Sequence, residues 1–195
     1  MQADYSVELG REDPALELPW QSEDGRTRYY DLKRHPESIT QIAEAADAPE
    51  LKTFLTRINA PAFPLQTAKC DTWSSREISP EEEIFGAPVK FVSYVDLVFV
   101  LLSVENEPRL SFERHEALAK SLCALLERAP EMSASFELVI RRCYYHSDGR
   151  PDESASGFCM TIYVSGFGND EAEARQRWSI ALALVQHALV QVLQQ

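Results

Sequence analysis

Residues 89–103 read Val-Lys-Phe-Val-Ser-Tyr-Val-Asp-Leu-Val-Phe-Val-Leu-Leu-Ser. A run this rich in β-branched and aromatic side chains, alternating in character, is predicted to be a long strand. Phe91, Val95, Leu97, Phe99 and Leu101 fall on one side of it, which must meet a core. The other side begins polar, with Lys90, Tyr94 and Asp96, and turns apolar at Val98, Val100 and Leu102. Side chains alternate across a strand, so this second surface is mixed, and something has to cover its apolar part.

Two later segments repeat the pattern. Along 135–146, Phe136, Leu138 and Ile140 share one side, and Glu137, Val139, Arg141, Cys143 and Tyr145 the other. Along 158–167, Phe158, Met160, Ile162 and Val164 oppose Cys159, Thr161, Tyr163, Ser165 and Phe167. Residues 66–78 also read as extended. The polar stretch Ser147–Gly157, with Gly149 and Pro151, is predicted to be the loop of a hairpin.

Helices separate these strands. Ser111 is positioned to cap a helix whose apolar face is Phe112, Leu118, Ala119, Leu122, Leu125, Leu126 and Ala129, and Pro130 stops it. Asp170 with Glu173 three residues on gives a capping box for a last helix, with Trp178, Ala181, Leu182, Val185, Ala188, Leu189 and Val192 as its buried stripe. Near the N-terminus, Tyr5–Leu9 reads as a strand. Leu18–Gln21 and Arg26–Leu32 flank Asp24-Gly25 as a β-hairpin. Pro36, Pro49 and the apolar spacing between them predict a broken helix over about 37–58.

The expected fold is α+β. It is a four-stranded antiparallel sheet in the order β-β-α-β-β-α over about residues 66–194, with two long helices on one face. An N-terminal hairpin and broken helix (1–60) precede it and pack on it, making a single domain over 1–195. The open face of that sheet would gather Tyr94, Asp96, Glu137, Arg141, Tyr145, Thr161 and Tyr163. This constellation is the candidate ligand-binding site. The plain alternative is a solvated face with cross-strand Glu–Arg and Tyr–Thr pairs.

Charge narrows the partners. Thirty-one acidic against 19 basic residues leave a net −12. Such a field repels phosphate backbones and anionic membrane surfaces, so neither nucleic acid nor membrane is expected. A basic protein partner or a cationic ligand suits it, and simple solubility is the plainer explanation. The run Glu81-Glu82-Glu83 reads as a solvated loop or helix start, with a basic partner as the sharper alternative. No signal-peptide pattern opens the sequence, and Cys70, Cys123, Cys143 and Cys159 are scattered, so reduced thiols and a cytoplasmic location are expected.

Catalytic and cofactor motifs are weak. Gly166-Phe167-Gly168 lies between strand and helix, but Asp170 and Glu171 would repel a phosphate, so a tight turn is the better explanation. Cys143-x-x-His146 has a ligand spacing, yet the two point to opposite faces of a strand, so no metal is expected. No cofactor is expected either, and no nucleophile–base pattern stands out. Over about residues 37–194 the order of elements resembles that of the small acidic chaperones of type III secretion, on topology alone. The function expected is a non-enzymatic protein-interaction module that homodimerises. The alternative is a small-molecule binder or enzyme on the open face. There Arg141 would clamp an anion, Asp96 or Glu137 would act as acid or base, and the tyrosines would wall the pocket.

Overall fold

The computed structural model describes residues 1–100, 108–147 and 150–194; side chains at 108, 147 and 150–153 lie outside that description. One mixed sheet of six strands runs through it, in an α+β arrangement. The strands are β1 (Gln2–Glu8), β2 (Leu16–Leu18), β3 (Leu65–Ser75), β4 (Val89–Phe99), β5 (Ala134–Ser147) and β6 (Arg150–Gly168). The helices are α1 (Ala43–Asp47), α2 (Pro49–Ile58), α3 (Phe112–Leu126) and α4 (Glu171–Leu193).

The middle of the sheet, β5-β6-β4-β3, is antiparallel. The expected sheet of four strands is nonetheless too small and of the wrong kind. β1 and β2 add to the free edge of β5, and both run parallel to it. They occupy successive stretches of that edge, Gln2–Glu8 against Ser135–Arg141 and Leu16–Leu18 against Cys143–Tyr145. The loop between them is tied down where Arg142 Nη2 donates to the Leu9 carbonyl at 2.6 Å. An unpaired edge strand leaves a row of backbone donors and acceptors open, and the N-terminal segment fills it.

That pairing also shortens the N-terminal hairpin. The turn at Asp24-Gly25 forms, and around the bridge Gln21↔Arg28 the Tyr29 amide donates to the Trp20 carbonyl at 2.8 Å and the Ser22 amide to the Thr27 carbonyl at 2.9 Å. Leu16–Leu18 has joined the main sheet. The Trp20 indole donates to the Ala68 carbonyl at 2.7 Å, which pulls the first arm onto the sheet face. The broken helix is present as a 3-10 turn Pro36–Gln41 followed by α1 and α2, each interrupted ahead of a proline or at a β-region residue.

The helices α2, α3 and α4 share the sheet face made by Phe91, Val95, Leu97, Phe136, Leu138, Ile140, Met160, Ile162 and Val164, and together these form the main core. Trp178 of α4 is fully buried there, edge-on to Phe91, with its indole N–H on the Ser93 hydroxyl at 2.9 Å. His115 of α3 is also fully buried, edge-on to Phe99 at 4.9 Å, and its Nδ1–H donates to the Ser111 carbonyl at 2.7 Å. Among the described residues, no helix is long and apolar enough to cross a membrane.

Gly166 and Gly168 are not in a turn. Both belong to β6, which runs to Gly168, and α4 starts three residues later. The hairpin strand is longer at its other end too. The expected loop Ser147–Gly157 is largely strand, with Ser154–Gly157 paired to Cys143–His146. β4 is shorter than expected, ending at Phe99; Leu101, Leu102 and Ser103 lie outside the described residues.

The α4 cap forms as its sequence implies. The Asp170 carboxylate accepts from the Glu173 amide at 2.9 Å, and the Glu173 carboxylate accepts from the Asn169 amide at 2.7 Å. Asp170→Ala should therefore cost about 1 kcal/mol, read as a fall of about 2–4 °C in the thermal midpoint. No change would mean that the helix end is held by packing alone.

Candidate functional site

The face opposite the helices divides into three bands. At one end Leu16, Leu18, Trp20 and Tyr29 cover Val98, Cys143, Tyr145, Cys159 and Ala68, forming a second, smaller core. At the other end Phe85 stacks on Phe167, with centroids 4.2 Å apart, and Lys90 Nζ is held by the Glu82 carboxylate at 2.7–2.9 Å. Glu82 thus spends its charge inside the fold, while Glu81 and Glu83 stay exposed. Between these covers lies a strip across the sheet that none of the described residues covers.

A cross-strand row runs through the strip. Register aligns Asp4, Glu137, Tyr163, Tyr94 and Asp71 on five adjacent strands. The two tyrosine rings are 6.0 Å apart, and Trp73, 38 % exposed, lies 6.3 Å beyond Tyr94. Aromatic pairs at such distances favour one another.

Beneath the row sits a polar network. Arg141 Nε donates to Glu8 Oε2 at 2.8 Å. Its Nη1 reaches the Thr161 hydroxyl at 3.2 Å and the Tyr163 hydroxyl at 3.3 Å. The Thr161 hydroxyl in turn donates to Asp96 Oδ1 at 2.6 Å. The network joins β1, β4, β5 and β6. Asp96 is buried, and burial pushes its pKa above the usual carboxylate range, opposed by the Thr161 hydrogen bond and by the charges of Arg141 and Lys69. Burial, with Asp96 next, pushes the Tyr94 phenol up as well. Glu137 is also raised, by partial burial and then by Glu8, with Arg141 opposing.

Six of the seven expected site residues therefore share one surface: Tyr94, Asp96, Glu137, Arg141, Thr161 and Tyr163. Tyr145 points to the same side of the sheet but lies in the small core. Its hydroxyl donates to the Phe158 carbonyl at 2.5 Å, and the Arg109 guanidinium sits 4.9 Å over its ring. What hides it is β2, whose pairing with β5 places Leu18 opposite Tyr145.

Asp71 and Trp73 were legible only with knowledge of a bulge. Before it, Leu65 and Thr67 face the helices and Gln66 and Ala68 the other side; after it, Lys69, Asp71 and Trp73 take the open face. The register breaks between Thr67 and Lys69, which inverts the parity of everything downstream. Asp4 and Glu8 were hidden by the unforeseen edge pairing.

Cys143 and Cys159 both lie in the small core, and Cys159 is raised by its thiol neighbour Cys143 and by burial, which makes it a poor nucleophile. His146 stands apart from that core, 3.9 Å from Glu17. Among the described residues, no group of three or more His, Cys, Asp or Glu side chains is arranged to hold a metal ion. No family model, curated protein or solved structure matches the chain, so the resemblance to the secretion chaperones rests on element order alone.

Proposed function

We propose that the chain is a non-enzymatic protein-interaction module whose open sheet face receives a basic, extended segment of another protein. The observation that carries this is the row of two tyrosines flanked by Asp71, Glu137 and Asp4. Lysine or arginine side chains laid across it meet ring faces at the centre and carboxylates at both ends. The net charge of −12 steers such a partner inward.

The small-molecule alternative is weaker on this geometry. Arg141 has its Nε and Nη1 donors committed to Glu8, Thr161 and Tyr163. Neither Arg141 nor Asp96 lines any of the four described clefts. A homodimer through this face is also disfavoured, because a two-fold axis through the tyrosines sets carboxylates against carboxylates. We therefore place the partner in a different chain.

The test is a titration of the intact protein with a short peptide alternating lysine and valine, against its glutamate counterpart. The lysine peptide should bind, with an affinity that falls as salt is raised. Glu137→Arg, at an exposed position, should weaken it by about tenfold. Equal binding of the two peptides, or an indifferent Glu137→Arg, would remove the proposal.

A further inference from the structure

A cleft of about 490 Å³ opens at the free edge of β3, between residues 20–32 and the start of α1. Its volume is typical of small-molecule sites, roughly 300–1,000 Å³. The charge of its walls runs against the rest of the molecule. Arg26, Arg28 and Lys69 converge on it in a chain with an acidic excess, set against Glu44 and Asp71.

The cations are not equivalent. Arg26 is held by Asp24 at 3.4 Å. Arg28 lies 5.5 Å over the Tyr30 ring, and Lys69 Nζ lies 5.3 Å over the Trp20 ring. Among the described residues, neither has a carboxylate within 4 Å, and neither side chain spends a donor on a hydrogen bond. Stacking on a ring leaves every guanidinium or ammonium N–H available. The walls are also firm. Trp20 is fixed by its bond to the Ala68 carbonyl, and Tyr94 stands on the rigid strand β4. Two positioned cations with all donors unspent, beside aromatic walls, match the two ends of one ligand type.

We infer that this cleft binds a small planar aromatic anion, with its ring against Tyr94 and its carboxylate or phosphate between Arg28 and Lys69. Cys70 also lines the cleft, but burial pushes its thiol up to about 12, which makes it a poor nucleophile. The site is distinct from the tyrosine row, sharing only Tyr94 and Asp71 with it.

The experiment is calorimetric titration of the intact protein with indole-3-acetate and with adenosine monophosphate, the two sources of such an anion. Neutral indole-3-acetamide and cationic tryptamine are the controls. At least one anion should bind about tenfold more tightly than either control, as expected when charge-assisted hydrogen bonds are lost. Which anion binds better separates the carboxylate from the phosphate form. The double variant Arg28→Ala/Lys69→Ala changes only exposed side chains, and its circular dichroism should match the parent. It should lose about tenfold in affinity for the anion, while Glu137→Arg, on the sheet face, should leave it unchanged. Binding of the amide as tight as that of the acid, full affinity in a folded double variant, or binding of neither anion would overturn the assignment. None of these results bears on the lysine peptide, so the two sites stand or fall separately.

Discussion

Gly166→Ala is expected to cost about 3 kcal/mol or more, because the added methyl must displace helix backbone in a close-packed layer. In a chain of this size that lowers the thermal midpoint by roughly 10 °C. A Cβ at this position would fall far inside van der Waals contact of the Trp178 amide nitrogen and the Ala174 carbonyl oxygen, both main-chain atoms of α4. A flexible side chain could turn away from the methyl, but these atoms cannot. The helix would have to lift from β6 and carry Trp178 out of its place against Phe91 and Ser93. Gly86→Ala makes the contrast. Its methyl meets nothing within 4 Å, and only a φ of 60° stands against it. That substitution should cost about 1 kcal/mol. Thermal and urea unfolding of both variants measure the difference. If the two cost the same, α4 does not lie this close to the sheet.

The same glycine shows where reading the sequence reaches its limit. Gly166-Phe167-Gly168 ahead of a helix cap looks like a turn, because glycine is most familiar where φ is positive. Here the requirement is absence of a side chain, and that depends on which helix returns to which strand. Local features were legible because their causes are local. The Asp170 cap is set by neighbours within one turn of helix, and the parity of Phe91, Phe136 and Ile162 follows from backbone pleat alone. That parity was enough to gather Asp96, Arg141, Thr161 and Tyr163 on one surface. The direction and partner of a short strand are not local. Nothing in Gln2–Glu8 or Leu16–Leu18 says that both will run parallel to β5 along one edge, yet that pairing supplies Asp4 and Glu8 and buries Tyr145. The bulge after Thr67 is likewise invisible in composition, and it alone decides that Asp71 and Trp73 face the strip.

Arg141→Met is expected to destabilise the protein by about 2–3 kcal/mol near pH 7, and the loss should shrink on acidification. Breaking a buried ionic network by removing one partner costs roughly 3–5 kcal/mol. The lower figure applies here because Glu8, one of the three partners, has a side chain 38 % exposed, so its share is screened by water. The remainder comes from Asp96. Its folded pKa lies above its ordinary value, so the folded chain keeps a proton that the unfolded chain has already released. Stability therefore falls as pH rises from the ordinary carboxylate value through the folded pKa, and the cost is constant above it. Arg141 limits that cost by favouring the charged carboxylate, acting together with the hydroxyl of Thr161. Without Arg141 the folded pKa rises further, the window widens, and the variant loses more stability than its parent between acid and neutral pH. Asp96→Asn in the Arg141→Met background should recover part of the loss near pH 7, since no buried charge then remains to be compensated. Urea unfolding near pH 4 and pH 7 on the parent, the single variant and the double variant supplies the comparison. A loss independent of pH, with no relief from Asp96→Asn, would mean that Arg141 holds Glu8 and Tyr163 but does not act on the carboxylate beneath the tyrosine row.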